Sequence, residues 1–308
     1  MSIYFSLLYL LAQVIVETIQ LSNNSSLSLV RKLRQNQMDQ MDGVEYSYRD
    51  VHRWNQRWPQ CGGRLQSPIS LTPSSCRSLG GWESRLEFGI PNARPLSVNL
   101  MNNGHTVKYV FTWNPNAIPT ISGGPLGSTR YIPHEVHFHW TNRWFGGSEH
   151  ALYDMRFTME MHIVCYNAVY RNLQNAMNAS DGVMVLGQMY QKFILGEHYS
   201  FLELLPQVQR RGSNITITRS LDAFTLDSFL NVNIFNEFFV IYLGSLTTPP
   251  CREGILWIVN VLPKLISVKS MNFFRRLEGM DRYIEDNVRP LQPRNQRACY
   301  TNSIYRIK

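Results

Sequence analysis

No run of this 308-residue chain is apolar for long enough to cross a bilayer, which takes about 18 residues or more. The C-terminal residues Tyr-Arg-Ile-Lys308 form no apolar tail, so neither a GPI anchor nor a membrane stalk is expected. An internal repeat is also lacking, which argues against a solenoid or propeller. Acidic residues are the scarcer charge: 22 Asp/Glu against 30 Lys/Arg give a formal net charge of +8. The excess is concentrated in residues 264–308, with ten Lys/Arg and four Asp/Glu. A basic surface of this kind can attract anionic glycans, acidic lipids or nucleic acid. No nucleic-acid motif accompanies it, and a solvated basic face is the expectation. Cysteine is sparse and odd in number, five in all, so they cannot all pair within the chain.

What the chain does have is His137-Phe-His139, followed by His162 in Glu160-Met-His162. Alternate side chains leave a β-strand on the same face, so His137 and His139 share one. Both flanks alternate as strands do: Glu135-Val-His-Phe-His-Trp140 and Met159-Glu-Met-His-Ile-Val164. Pairing the two would set a third imidazole beside the first two. A single strand histidine is ordinarily a packed or surface residue, and the surrounding carboxylates are what separate this set from that case. Period 2 puts Glu135 on the face of His137 and His139, and Glu160 on the face of His162. Metal-bound imidazoles usually donate their second N–H to such acceptors, which fixes the tautomer. A carboxylate turned into a strand core without a partner would be costly. Three neutral imidazoles with an open fourth position suit a catalytic zinc, whereas structural zinc sites are usually closed by cysteines.

Further along stands Leu243-Gly-Ser-Leu-Thr247-Thr248-Pro-Pro-Cys251-Arg-Glu-Gly-Ile-Leu-Trp257. Together with His137-Phe-His139-Trp, Gly147-Ser-Glu149-His150 and Glu160-x-His162, this block resembles the α-class carbonic anhydrases in order and spacing. Cys61-Gly-Gly-Arg-Leu-Gln66-Ser-Pro-Ile69 and Asn102-Asn-Gly-His105 extend the likeness upstream. Asp181-Gly-Val-Met-Val185-Leu-Gly187 and Asn287-Val-Arg-Pro290 extend it downstream, so that it covers residues 44–300.

The resemblance implies Zn²⁺ held by His137, His139 and His162, with Glu135, Glu160 and Asn287 supporting the ligands. In that family zinc lowers the pKa of its water to about 7, and the resulting hydroxide attacks CO₂. Thr247 matches the residue that orients the hydroxide through the carboxylate of Glu149, and Thr248 lies beside the bound substrate. Val164, Val185, Leu246 and Trp257 match the wall of an apolar CO₂ pocket, although each alone would pass as core. His105 occupies the position that carries the proton to solvent, and His134 is a second candidate at the cavity mouth. The implied product is bicarbonate, and the alternative function is a binding or matrix protein that keeps the fold with little or no activity. Inactive members of the family typically lose a zinc-ligand histidine, and this chain keeps all three. Protein partners are not legible in the sequence.

Departures from the family pattern fall mainly on the polar wall. Glu135 stands where many members carry Gln, and Lys108 where a neutral polar side chain is common. The pair is expected to form an ion pair across neighbouring strands, ordering or interrupting the local water. Leu65 replaces a frequent Arg before Gln-Ser-Pro, and Tyr46-Ser-Tyr48 replaces a Trp-x-Tyr pattern.

Ile3 to Val16 is apolar apart from Ser6 and Gln13, as in the h-region of a secretory signal, although no Lys or Arg precedes it. Residues 1–20 therefore read as a signal peptide and 21–43 as a polar arm. Residues 44–300 read as one domain and 301–308 as a tail. Sequons begin at Asn23, Asn24, Asn178 and Asn214, as in a glycoprotein. Cys61 and Cys251 match the cysteines joined in secreted members, a bridge worth roughly 4–5 kcal/mol in the chain-entropy view. Cys165 falls on the strand face opposite His162 and is expected to be a buried free thiol. Cys76 and Cys299 are left open between pairing and freedom. Frequent Gly and Pro and β-rich runs indicate a mostly β (α+β) domain, and parts of 183–210 look helical. The resemblance adds a large twisted, mostly antiparallel sheet, short peripheral helices and zinc at the bottom of a conical cleft.

Overall fold

β-Branched and aromatic residues crowd the segments between the Gly- and Pro-containing turns, and such side chains fit a pleated, half-buried surface. The computed structural model describes residues 46–80, 84–280 and 282–302. The expected signal peptide and arm, and the sequons at Asn23 and Asn24, lie outside the described residues. In chain order the strands are β1 (Ser70–Leu71), β2 (Arg77–Ser78), β3 (Glu87–Gly89), β4 (Pro95–Asn102), β5 (Val107–Trp113), β6 (Thr120–Ser122) and β7 (Tyr131–Trp140). They continue with β8 (Ala151–Leu152), β9 (Met159–Asn167), β10 (Val183–Phe193), β11 (Asn214–Ile217), β12 (Phe239–Ser245), β13 (Glu253–Ser267) and β14 (Cys299–Thr301).

Twelve strands form one large twisted sheet with the path β11–β4–β5–β7–β9–β10–β13–β12–β14–β2, and β3 and β6 join beside β7. The pairs β10–β13 and β14–β2 are parallel, while the other pairs of this sheet are antiparallel. Helices are short, the longest α-helix among the described residues being Val268–Phe274. The mostly β domain expected from the sequence is thus what the chain forms.

One expectation is corrected. Residues 183–193 are strand, not helix, and the turns at Ser200–Leu202 and Leu205–Val208 are 3₁₀. β10 is covered on both faces and hydrogen-bonded on both edges, so its apolar residues run on without alternating. Such a run cannot be told from a buried helix by periodicity.

The central strands divide two cores. From β9 and β10, Met161, Ile163, Cys165, Met184, Leu186 and Tyr190 face a large aromatic-rich core containing Phe138, Phe201 and Phe229. Val164, Val183, Val185 and Met189 face a smaller one with Tyr242, Trp257 and Val259. Cys165 is a buried free thiol in the larger core, and burial raises its pKa well above the usual thiol range. Two disulfides tie early segments to late ones: Cys61–Cys251, as expected, and Cys76–Cys299, which the sequence left open.

Candidate metal centre

Antiparallel pairing of β7 with β9 places His137 directly opposite His162. Two residues on, His139 falls on the same face, and the three rings gather with centroids 4.6–5.2 Å apart. One ring nitrogen of each imidazole is already committed. His137 Nδ1 donates to Glu135 Oε1 at 3.1 Å, His139 Nδ1 to the carbonyl of Asn287 at 2.8 Å, and His162 Nε2 to Glu160 Oε1 at 2.8 Å. That leaves His137 Nε2, His139 Nε2 and His162 Nδ1 for another partner. The three histidines can offer ligand atoms that all lie within 4.8 Å of one another.

Burial favours the neutral, ligating form of two of these rings. It pushes the pKa of His137 down to about 3, against the pull of Glu135, and that of His139 down as well. His139 Nε2 is fully buried and has no hydrogen-bond partner, a state that a buried polar atom rarely keeps without a reason. Three imidazoles, each tethered through one ring nitrogen, and a buried orphan nitrogen are a donor set that fits Zn²⁺.

Support extends behind the ligands. Burial alone would raise the Glu160 carboxyl, but His150 and His162 hold it well below the carboxylate range. His150 donates its backbone N–H to Glu160 Oε2 and its Nδ1–H to Oε1, both at 2.7 Å. His150 Nε2 then accepts from the Tyr242 hydroxyl at 2.6 Å, and Tyr242 accepts from Ser67 Oγ at 2.8 Å. Both ring nitrogens of His150 are therefore occupied, so the cluster of His150, Glu160 and His162 reads as a relay and not as a second metal site. The roles of His150 and Tyr242 are not visible in the sequence. His150 sat in a quoted motif, but nothing in the sequence linked Tyr242 to it.

Glu149 is fully buried. Its loop is clamped where Gly147 and Ser148 donate to the carbonyl of Phe157 at 2.8 and 3.0 Å. A side chain at Gly147 would collide with the Thr158 backbone, so the loop depends on glycine there. Glu149 Oε1 accepts from the Arg289 backbone N–H at 3.0 Å, and Oε2 is buried without a hydrogen-bond partner. The expected Thr247–Glu149 hydrogen bond is not formed in this structure, and Oε2 is the oxygen left for it. Thr247 is buried beside partly exposed Leu246 and Thr248, on a loop closed by the Cys251 N–H to Thr248 carbonyl bond of 2.8 Å. Gln66 reaches the Cys251 carbonyl at 3.2 Å, and Arg289 reaches the carbonyls of Cys61 and Ser67 and the side chain of Gln66. The Cys61–Cys251 bridge thus anchors the Thr247 loop to the N-terminal segment. The role of Arg289 is likewise not marked by any local pattern in the sequence.

Val164, Val185 and Trp257 lie together in the smaller core with Leu246 packed against it, and the Trp257 ring stands 4.8 Å from that of His162. His105 occupies the turn between β4 and β5, 7% exposed, with its carbonyl accepting from Asn287 Nδ2 at 2.9 Å. Asn287 also takes the Trp140 backbone N–H on Oδ1 at 2.7 Å, so one side chain links β7 to the His105 turn.

Lys108 directly opposes His137 across β5 and β7, and its ammonium lies 3.5 Å from Glu135 Oε2. The expected ion pair is therefore present, with side chains only 19% and 13% exposed. Burial would raise the Glu135 carboxyl, but Lys108 and the His137 N–H hold it far below its usual value. His134, at a register shift of β7, has its pKa lowered by burial, with Glu135 and Lys108 both near enough to act on it.

A large sheet carrying three strand-borne imidazoles, each with one nitrogen tethered and one free, forms a site that could hold one metal ion. The chain matches the family model for eukaryotic-type carbonic anhydrase over residues 49–303 and belongs to that family. It is 31% identical over 275 residues to the human protein named carbonic anhydrase-related protein, covering 83% of this chain and 90% of the relative. It is also 31% identical over 268 residues to carbonic anhydrase 6 of Canis lupus familiaris, covering 83% and 78%. With human carbonic anhydrase 3 the identity is 28% over 264 residues, covering 82% and 95%.

Proposed function

We propose that this chain is a secreted, zinc-dependent carbonic anhydrase that interconverts CO₂ and bicarbonate. The observation that carries the reading is the set of three imidazoles, each tethered through one nitrogen and able to offer a ligand atom within 4.8 Å of its neighbours. When bound, zinc supplies the acid strength that makes water a nucleophile near neutral pH. His137, His139 and His162 would hold it, and Glu135, Asn287 and Glu160 would fix their tautomers. Thr247 would donate to the orphan Glu149 Oε2 and accept from the attacking water, aiming a lone pair at the substrate. Val164, Val185, Leu246 and Trp257 would receive uncharged CO₂, with Thr248 beside it. His105, or else His134, would take the released proton outward.

Two disulfides favour an oxidising compartment, and residues 1–20 would supply the export signal. Asn178 and Asn214 are exposed, as glycan acceptors must be. The relatives include both proteins named carbonic anhydrase and proteins named carbonic anhydrase-related protein, so a binding protein of this fold is the competing reading. Zinc analysis of the purified protein with a CO₂-hydration assay, repeated on His162→Ala, separates the two. Stoichiometric zinc and hydration, both lost in the variant, support the enzyme. Full zinc occupancy without hydration supports the binding role.

A further inference from the structure

Single exposed apolar side chains are ordinary, but the turn that ends β10 exposes three in succession. Phe193 is 48% exposed, Ile194 80% and Leu195 84%. The turn is built firmly. Gly196 N–H donates to the Phe193 carbonyl at 3.1 Å, Glu197 N–H to that of Leu265 at 3.2 Å, and Ser267 N–H to that of Glu197 at 2.9 Å. A side chain on Gly196 would strike the backbone at Ile266 and Ser267, so the turn is pressed against the end of β13. Its aliphatic tip therefore projects by construction.

A second apolar element stands beside it. Lys192 N–H donates to Thr158 Oγ1 at 3.0 Å, and that hydroxyl donates to the Trp144 carbonyl at 3.2 Å. Trp144 and Phe145 are themselves more than half exposed. Lys192 is itself buried, 4% exposed, and sets its ammonium 3.9 Å from the centroid of the Trp144 ring, so it supports that ring while Arg143, Lys269 and Arg275 supply the outward charge. Arg275 lies close enough to Lys192 to act on its charge, and donates to the Asn142 carbonyl at 3.4 Å. Arg143 and Lys269 are exposed next to these elements in sequence. The acidic groups of the neighbourhood are Glu197, in the turn itself, Glu203, which pairs with His198, exposed Glu285, whose carbonyl takes the Asn142 N–H, and Asp286, which faces Arg143.

We propose that this surface docks the protein on a negatively charged lipid bilayer. A convex aliphatic tip suits insertion into a fluid interface better than a flat protein contact. An exposed Trp beside it matches the headgroup level, and the surrounding cations match lipid phosphates. No helix among the described residues is long and apolar enough to span a membrane, so the contact is peripheral. Lys269 and Arg275 belong to the basic C-terminal stretch that the sequence alone reads as merely solvated.

The test is co-sedimentation of the full chain with phosphatidylcholine vesicles, with and without phosphatidylserine. Binding is expected only with phosphatidylserine, weakened by salt, with a blue shift in fluorescence that Trp144→Phe removes. The double variant Ile194→Ser/Leu195→Ser should bind roughly tenfold more weakly or worse, and Lys269→Glu several-fold more weakly. Both change exposed side chains, and unchanged thermal unfolding certifies their fold. No binding to phosphatidylserine vesicles, or undiminished binding by the double variant, overturns the proposal. So does sedimentation-velocity evidence of a dimer that the double variant breaks, which would make a second copy the occupant.

Discussion

Glu135→Gln keeps an oxygen to accept the His137 Nδ1–H but removes the charge that Lys108 faces. At the observed 3.5 Å and an effective dielectric of about 20, the pair attracts by about 5 kcal/mol. Much of that offsets the removal of two largely buried charges from water. The variant removes the carboxylate charge beside the Lys108 ammonium, on the strand residue opposite His137, and makes the acceptor of that ring less basic. Both effects weaken cation binding. Mutation of a residue that supports a ligating imidazole typically costs 10–100-fold in metal affinity, or about 1.4–2.8 kcal/mol, and the lower end is expected here because an acceptor oxygen is kept. Lys108→Met should act in the opposite direction, because it removes a positive charge and strengthens the Glu135 acceptor, so zinc should bind several-fold more tightly. Lys108→Met/Glu135→Gln should return close to the parent value. Competition against a chelator, read as protein-bound zinc, measures all three without reference to turnover. Equal affinity in Glu135→Gln and the parent, or weaker zinc binding in Lys108→Met, would refute the reasoning.

Cys61→Ser/Cys251→Ser opens a bridge of sequence separation 190. Chain entropy puts its loss at about 5 kcal/mol, less here because Cys76–Cys299 still closes an overlapping loop, and denaturant unfolding should show about 2–4 kcal/mol. Tyr242→Phe removes the hydroxyl between His150 and Ser67 and should cost about 1–3 kcal/mol in the same assay. Lys264 donates to the Phe229 carbonyl at 3.1 Å, and burial lowers its pKa to about 8. The unfolded chain, with a pKa near 10.4, then binds more protons than the native one above pH 8, so this residue adds stability as pH rises from about 8 to 10. The advantage of Lys264→Met over the parent should shrink by about 1–2 kcal/mol across that window, after discounting for the lysine's partial exposure. A gap that is constant or widens with pH would contradict the assignment.

The candidate metal centre was legible because its parts are local. His137, His139 and the carboxylates Glu135 and Glu160 are related by strand period, and one correct pairing brings in His162. The Lys108–Glu135 pair was legible as two departures of opposite sign on neighbouring strands. What escaped depends on contacts between distant segments. Tyr242 reaches His150 across 92 residues of chain and Arg289 reaches Cys61 across 228, with no local pattern marking either. The pairing of Cys76 with Cys299 was undecidable for the same reason. The helical reading of part of 183–210 failed because a strand buried on both faces loses its alternation. It also hid the exposed Phe193–Leu195 turn, whose apolar residues looked like a continuation of the core.

β9 serves two masters in strict alternation: its Met161, Ile163 and Cys165 fill the aromatic core, while His162 and Val164 face the site. A strand built this way has no freedom of length. Inserting or deleting a single residue between Met159 and Asn167 would exchange the two faces, driving the thiol toward the imidazoles and an imidazole among the phenylalanines. Substitutions can be absorbed one side chain at a time, but frame changes within the strand cannot. In any diversification of this chain, natural or engineered, length variation is therefore to be sought in its turns, and β9 should keep its nine residues.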